Sequence, residues 1–250
     1  MKFGVSTLAL YPSPIEKILD FVENLGMDYC EIINEYPFDD LNYEIFESYS
    51  LDVVIHAPIS DINIASHNHA MRRASIEEIK SSITLASKIN SEKIVIHPGI
   101  VPVLGKKFIN KIEKYNIDAL REIRDHAENL GVKICLENMP NLEECLCKDL
   151  NEVYKIVNDL GIYTTLDVGH ANTMGLDVEK LKIDDSVIHI HISDNDGSYD
   201  THDALGEGNI NFTKLFKKKL KNYSDTITIE IKTKEELLKS IEYLKAKKIL

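Results

Sequence analysis

Short apolar runs rich in Val, Ile and Tyr recur at residues 3–7, 29–33, 52–56, 93–97, 133–137, 163–167, 187–192 and 226–231, separated by stretches with helical spacing. Eight strands alternating with helices imply a parallel sheet, most economically closed as a (β/α)8 TIM barrel in a single α/β domain over residues 1–250. Helix punctuation agrees with this. Ser13, Pro14 and Glu16 resemble an N-cap, an N1 proline and a capping-box acid, and Leu25-Gly26 ends the helix they open. The Leu-Gly stop returns at Leu130-Gly131 and Leu160-Gly161, each just before a strand. No Ser/Gly/Pro-rich linker divides the chain. The longest connections follow the third, fourth, fifth and seventh strands; in a barrel they stand over the C-terminal mouth, where binding and catalytic groups gather.

Polar residues interrupt this pattern at one end of the runs. His56, His97, Glu137, Asp167, His170, His191, Asp200, His202 and Glu230 sit at or just after the ends of six strands, and they include five of the nine histidines. Imidazole and carboxylate are the ligands that borderline divalent metals prefer. A lone histidine at a strand end is more often a hydrogen-bonded core residue than a ligand. Its recurrence in VVIHAP and KIVIHPG strengthens both His56 and His97. Glu137 closes KICLE, Asp167 closes YTTLD and Glu230 lies near the end of TITIEI, where burying a carboxylate is costly without a compensating cation. An open doubly wound sheet would not bring these strand ends around one point, so the barrel is the better reading.

Asp167 and His170 lie close together in DVGH, and His189 and His191 share one face of VIHIHIS. His191, at the C-terminal end, is the ligand candidate and His189 a structural residue in a lower layer. The loop SDNDGSYDTHDALGEGNINF offers Asp200 and His202 side by side, while Gly206 and Gly208 allow a tight backbone path. His67 and His69 read as part of a polar loop before a helix that begins near Ser75, and His126 as a surface position on a charged helix.

Composition narrows the partners. A formal charge of −12 disfavours non-specific attraction to polyphosphate. The runs at Lys217 to Lys219 and Lys245 to Lys248 fall in the last turns of helices, where cations complement the helix end and face away from the mouth. No apolar stretch approaches the roughly 20 residues of a membrane span, and no signal-peptide pattern follows Met1, so a soluble cytoplasmic protein is expected. Cys30 and Cys135 lie inside apolar runs, and Cys145 and Cys147 in an acidic loop without a second pair. All four read as reduced thiols rather than a zinc clip.

With HAPISDIN, IHPG, LEN, LDVGHAN, HIHISDN, THDALGEGNI and IEI in order, the chain resembles the xylose isomerase-like TIM barrels, which include endonuclease IV and the sugar or sugar-phosphate isomerases and epimerases. The resemblance to endonuclease IV implies up to three zinc ions. His56, His97 and Glu137 would hold one; Glu137, Asp167, His191 and Glu230 another; and His170, Asp200 and His202 the last. The resemblance to tagatose epimerases implies a single Mn2+, Mg2+ or Co2+ on Glu137, Asp167, His191 and Glu230, with Glu137 and Glu230 as the catalytic acid/base pair. An arginine that binds substrate in that branch, a few residues after the His191 position, has no counterpart in SDNDGS.

Charge counting separates the two readings. The full set with three ions carries about +2, suited to a phosphoester, whereas the four-residue set with one ion carries about −1, suited to an uncharged sugar. Because Asp200 and His202 are surplus to an epimerase, the sequence ranks first a trinuclear zinc hydrolase acting on abasic DNA or a smaller phosphosugar. A sugar or sugar-phosphate isomerase/epimerase is the alternative, and a structural metal site in a binding protein ranks last, since such sites usually close with cysteine on loops. Against DNA, the mouth loops set Arg72, Arg73, Lys106 and Lys107 against Glu143, Glu144, Asp194, Asp196 and Asp203, with Tyr199 the nearest aromatic, a poor footprint for flipping a nucleotide. Barrels of this size often form homodimers, although no exposed apolar stripe marks an interface.

Overall fold

The computed structural model describes residues 1–38, 41–175 and 177–250. Eight parallel strands, β1 (Lys2–Ser6), β2 (Tyr29–Ile33), β3 (Asp52–His56), β4 (Lys93–Ile96), β5 (Lys133–Glu137), β6 (Tyr163–Asp167), β7 (Val187–Ile192) and β8 (Thr226–Ile229), pair in sequence order and close into a barrel. Register closes the ring at β1 and β8, with Lys2 opposite Thr226 and Val5 opposite Ile229. The helices are α1 (Ile15–Asn24), α2 (His69–Lys88), α3 (Ile109–Leu130), α4 (Leu150–Leu160), α5 (Val168–Thr173), α6 (Phe212–Lys214) and α7 (Lys234–Ala246). Among the described residues no helix is long and apolar enough to cross a membrane.

Side chains alternate along each strand, and this alternation builds the site. Outward residues such as Ile32, Ile55, Ile94, Ile96, Ile134, Leu136, Leu166, Ile190, Ile192, Ile227 and Ile229 join the helices in one continuous apolar core. The inward set is polar, with a small apolar plug of Tyr29, Val54 and Val95 beneath it. Gly4 makes room for that plug, because a Cβ there would lie 2.3 Å from the Tyr29 ring. Above it, the last inward residue of each of β3, β5, β6 and β7 is His56, Glu137, Asp167 and His191. The candidate ligands are thus the uppermost interior layer of the barrel.

Two helix starts depart from the sequence reading. Pro14 is the N-cap residue of α1 and makes no side-chain cap bond, so Ser13 does not cap it. Helix α2 begins at His69 rather than near Ser75, because the Asn68 side chain accepts from Ala70 N and Met71 N and opens the helix a turn and a half earlier. The Leu-Gly stops end α3 and α4 as expected, with Gly131 and Gly161 left-handed. His126 meets Thr84 Oγ1 at 3.2 Å between α3 and α2, so it is part of a helix contact rather than a free surface group. All four cysteines are free and buried.

Candidate metal centre

The nine residues converge at the mouth, and three of the histidines are held by the same device. His56 Nδ1 donates to Ala57 O (2.7 Å), His170 Nδ1 to Asn138 O (2.8 Å) and His202 Nδ1 to Glu230 O (3.0 Å). A carbonyl oxygen can only accept, so each Nδ1 carries the hydrogen and each Nε2 is presented to the cluster. His56 Nε2 lies 3.4 Å from Glu137 Oε2, and His97 Nε2 lies 3.1 Å from the same oxygen. His170 Nε2 and His202 Nε2 converge on Asp200 Oδ2 at 3.2 and 2.9 Å. His202 reaches this position through a left-handed backbone (φ 51°).

At the centre, His191 Nδ1 is 3.2 Å from Glu137 Oε1, 3.2 Å from Glu230 Oε2 and 3.8 Å from Asp167 Oδ2. Potential ligand atoms of Glu137, Asp167, His191 and Glu230 all lie within 4.8 Å of one another, as do those of His56, His97 and Glu137, and those of His170, Asp200 and His202. Backbone contacts fix the carboxylates. Asp167 is the N-cap of α5, where its Oδ1 accepts from His170 N at 2.6 Å, and Asn138 brackets its backbone with two bonds. Glu230 N donates to Ile192 O (3.1 Å), which ties the residue after β8 to β7.

Crowding four carboxylates into a dry layer perturbs every neighbour. Burial, resisted by His170 and reinforced by Glu137, Asp200 and Glu230, raises the Asp167 carboxyl to about 7. Burial opposes charge on His170, yet Asp167, Asp200 and Glu137 outweigh it and raise that imidazole to about 10. His202 is likewise raised to about 9, against burial, by Asp200 and Glu230. Burial would raise Glu137, but His191 and His97 hold it well below the usual carboxylate range. His97, where burial prevails, is lowered.

The residues fit a divalent cation. Asp167 Oδ2 and Asp200 Oδ1 are buried without a hydrogen-bond partner, and the donors are all oxygen and imidazole nitrogen. An unpartnered carboxylate oxygen in such a layer is costly unless a cation meets it. His97, Asp200 and His202, with side chains 24%, 13% and 13% exposed, are the parts of the cluster nearest solvent.

Two features escaped the sequence reading. Glu31, on β2, is fully buried, with Oε2 2.8 Å from His189 Nε2 and Oε1 2.9 Å from His191 Nε2. Its signal was present as a charge at an inward position of the apolar run YCEII. The mouth also loses several of its expected free charges. Asp194 is buried and accepts from Gly206 N (2.8 Å) and Ile210 N (3.1 Å), so it shapes the loop carrying Asp200 and His202. Gly208 is required there, since a Cβ would stand 2.3 Å from Asn195 O. Arg73 pairs with Glu122 and Glu77 along α2 and α3, Lys106 pairs with Glu143 (2.6 Å), and Arg72 stacks on Tyr115.

Residues 19–247 match the model of the xylose isomerase-like TIM barrels. An uncharacterized protein of Methanocaldococcus jannaschii is 38% identical, across 98% of this chain and 88% of its own. Fructoselysine 3-epimerase of Shigella flexneri is 25% identical across 93% of this chain and 91% of its own. A probable endonuclease 4 of Bacillus licheniformis is 29% identical, but across 71% of this chain and 66% of its own. Among solved structures, a D-tagatose 3-epimerase-like protein superposes with a TM-score of 0.89 at 37% identity, covering 99% of this chain and 97% of that one. The IolI protein, solved with a bound zinc atom, shares the fold at a TM-score of 0.80 and 23% identity over 100% of this chain and 97% of that one.

Proposed function

Since the chain belongs to the xylose isomerase-like TIM-barrel family, we propose that it is a divalent-metal-dependent isomerase or epimerase of a ketose or sugar derivative. The observation that carries this reading is the central set: Glu137 and Glu230 each approach His191 Nδ1 to 3.2 Å from strands on different sides of the barrel mouth. The likeness to epimerases extends over nearly the whole chain, whereas the likeness to an endonuclease is partial. A divalent ion held by Glu137, Asp167, His191 and Glu230 would supply Lewis acidity, polarising the carbonyl and hydroxyl oxygens of a bound sugar. One carboxylate of the Glu137/Glu230 pair then takes the proton from the carbon beside the carbonyl, and the other returns a proton to the opposite face. His97, Asp200 and His202 border the approach from solvent and are placed to receive sugar hydroxyls.

The pairing of Arg73 and Lys106 within their own surface favours a small substrate over DNA. The test is deuterium uptake. Protein loaded with Mn2+ or Co2+ and incubated with ketoses in D2O should introduce deuterium beside the carbonyl; no exchange with any ketose or ion defeats the reading.

One observation favours phosphoester hydrolysis as a second reading: the donors at the mouth form three sets, two of which share Glu137, the number a trinuclear zinc site needs. There Glu137 would accept a proton from the attacking water. Three tightly held zinc ions, with cleavage of an abasic duplex or a simple phosphoester, would replace the first reading by the second.

A further inference from the structure

Among the described residues, His191 is the cluster histidine whose ring is turned the other way. His56, His170 and His202 each give Nδ1 to a backbone carbonyl and present Nε2, whereas His191 presents Nδ1 to Glu137 and Glu230 and buries Nε2 beside Glu31. Strand β2 is separated from β7 by β1 and β8 in the barrel order, so this contact crosses the barrel interior. Glu31 is itself held from several sides. His189 Nε2 donates to Oε2 at 2.8 Å, Thr228 Oγ1 donates to the same oxygen, and Tyr29 OH backs Thr228 at 2.8 Å. His189 is located in turn by Thr226 Oγ1 at 2.7 Å. Every member of this group lies beneath the mouth, buried.

We infer that Glu31, supported by His189 and Thr228, is a positioning residue: it fixes the ring of His191 with Nε2–H toward β2, so that Nδ1 is the ligating atom of the central set. A carboxylate on the far nitrogen of a ligating histidine fixes its orientation and raises its basicity. Glu31, His189 and His191 also have ligand atoms within 4.8 Å of one another; Glu31 Oε2 and both nitrogens of His189 are taken up by hydrogen bonds, which leaves Glu31 Oε1 and His191 Nε2 to face each other at 2.9 Å as a support.

The inference rests on the central set binding an ion and not on the reaction proposed for it. Zinc titration of the full chain, compared with His191→Ala, identifies the binding step that belongs to that set. Glu31→Gln should weaken this step about 10- to 100-fold while the remaining steps are unchanged. An unchanged step in Glu31→Gln overturns the inference, as does the absence of any step lost in His191→Ala. Should Glu31→Gln fail to fold, the native chain decides. Ring 15N shifts of zinc-loaded protein should show His191 coordinated through Nδ1 and protonated at Nε2, and the reverse tautomer overturns the inference. A chain that binds zinc as expected but leaves ketoses unexchanged refutes the proposed reaction alone.

Discussion

The central and loop-borne parts of the cluster are built from the same residue types by different means. Glu137 and Asp167 end strands β5 and β6, His191 is the last inward residue of β7, and Glu230 follows β8, so ladder bonds set their spacing. Asp200 and His202 ride on the loop after β7, which is folded by Asp194 and Gly208 and docked through His202 Nδ1 on Glu230 O. The strand-borne set is rigid by construction, and the loop-borne set is only as well placed as its loop. Proton transfer to carbon needs the first kind of precision, so the strand-borne residues are the natural seat of chemistry and the loop a natural place for specificity.

The largest expected effect comes from Glu137, which belongs to two of the ligand sets. Glu137→Gln should slow deuterium exchange by about 10²- to 10⁴-fold, the range of general acid/base catalysis. A loss no greater than that of a loop variant would erase the contrast between the regions. Next is Gly208→Ala, whose Cβ would meet Asn195 O and Asp194 Oδ1 at 2.3 Å. Denaturant melts should show a loss of about 1–3 kcal/mol. Ion affinity of the strand-borne set should hold, and its collapse would show that the loop supports the centre.

Smaller still is the effect of Asp200→Ala combined with His202→Ala. In an isomerase the pair should lower the exchange rate no more than about tenfold, or about 1.4 kcal/mol of barrier, and metal analysis should still find the central ion. Abolished turnover with loss of bound zinc would instead assign the loop to a hydrolytic centre. The smallest effect lies on the outer helices. Arg73 and Lys80 lower Glu122 to about 2 from 4.5. A carboxyl depressed on folding contributes stability that is present above pH 4.5 and lost as pH falls through about 2. These side chains are more than a third exposed in the Arg73–Glu122 pair and solvent screens them, so Arg73→Met should flatten the acid limb of the stability curve only slightly, with ion binding untouched.

Much of this was legible along the chain. The eight runs, the Leu-Gly stops and the candidate ligands at the strand ends follow from local periodicity, and the barrel gathers those ends at one mouth. Glu31 was passed over because it sits within a run rather than at its end, and its partners are distant in sequence. The start of α2 was missed because Asn68 competes with an equally polar stretch, and only its side-chain bonds show it to be the cap. The balance between hydrolase and isomerase also shifted. Counting ligands favoured the first, while whole-length similarity and the pairing of Arg73 and Lys106 within their own surface favour the second.

By itself the sequence determined which residues face inward and which stand at the mouth, because a period of two and the polarity of a β/α repeat are local properties. Only the tertiary structure decided which of them touch. Closure of the ring carries Glu31 across the interior to His191 and sets the orientation of each imidazole by the acceptor it meets. Those contacts join residues far apart in the chain, and no local pattern encodes their distance.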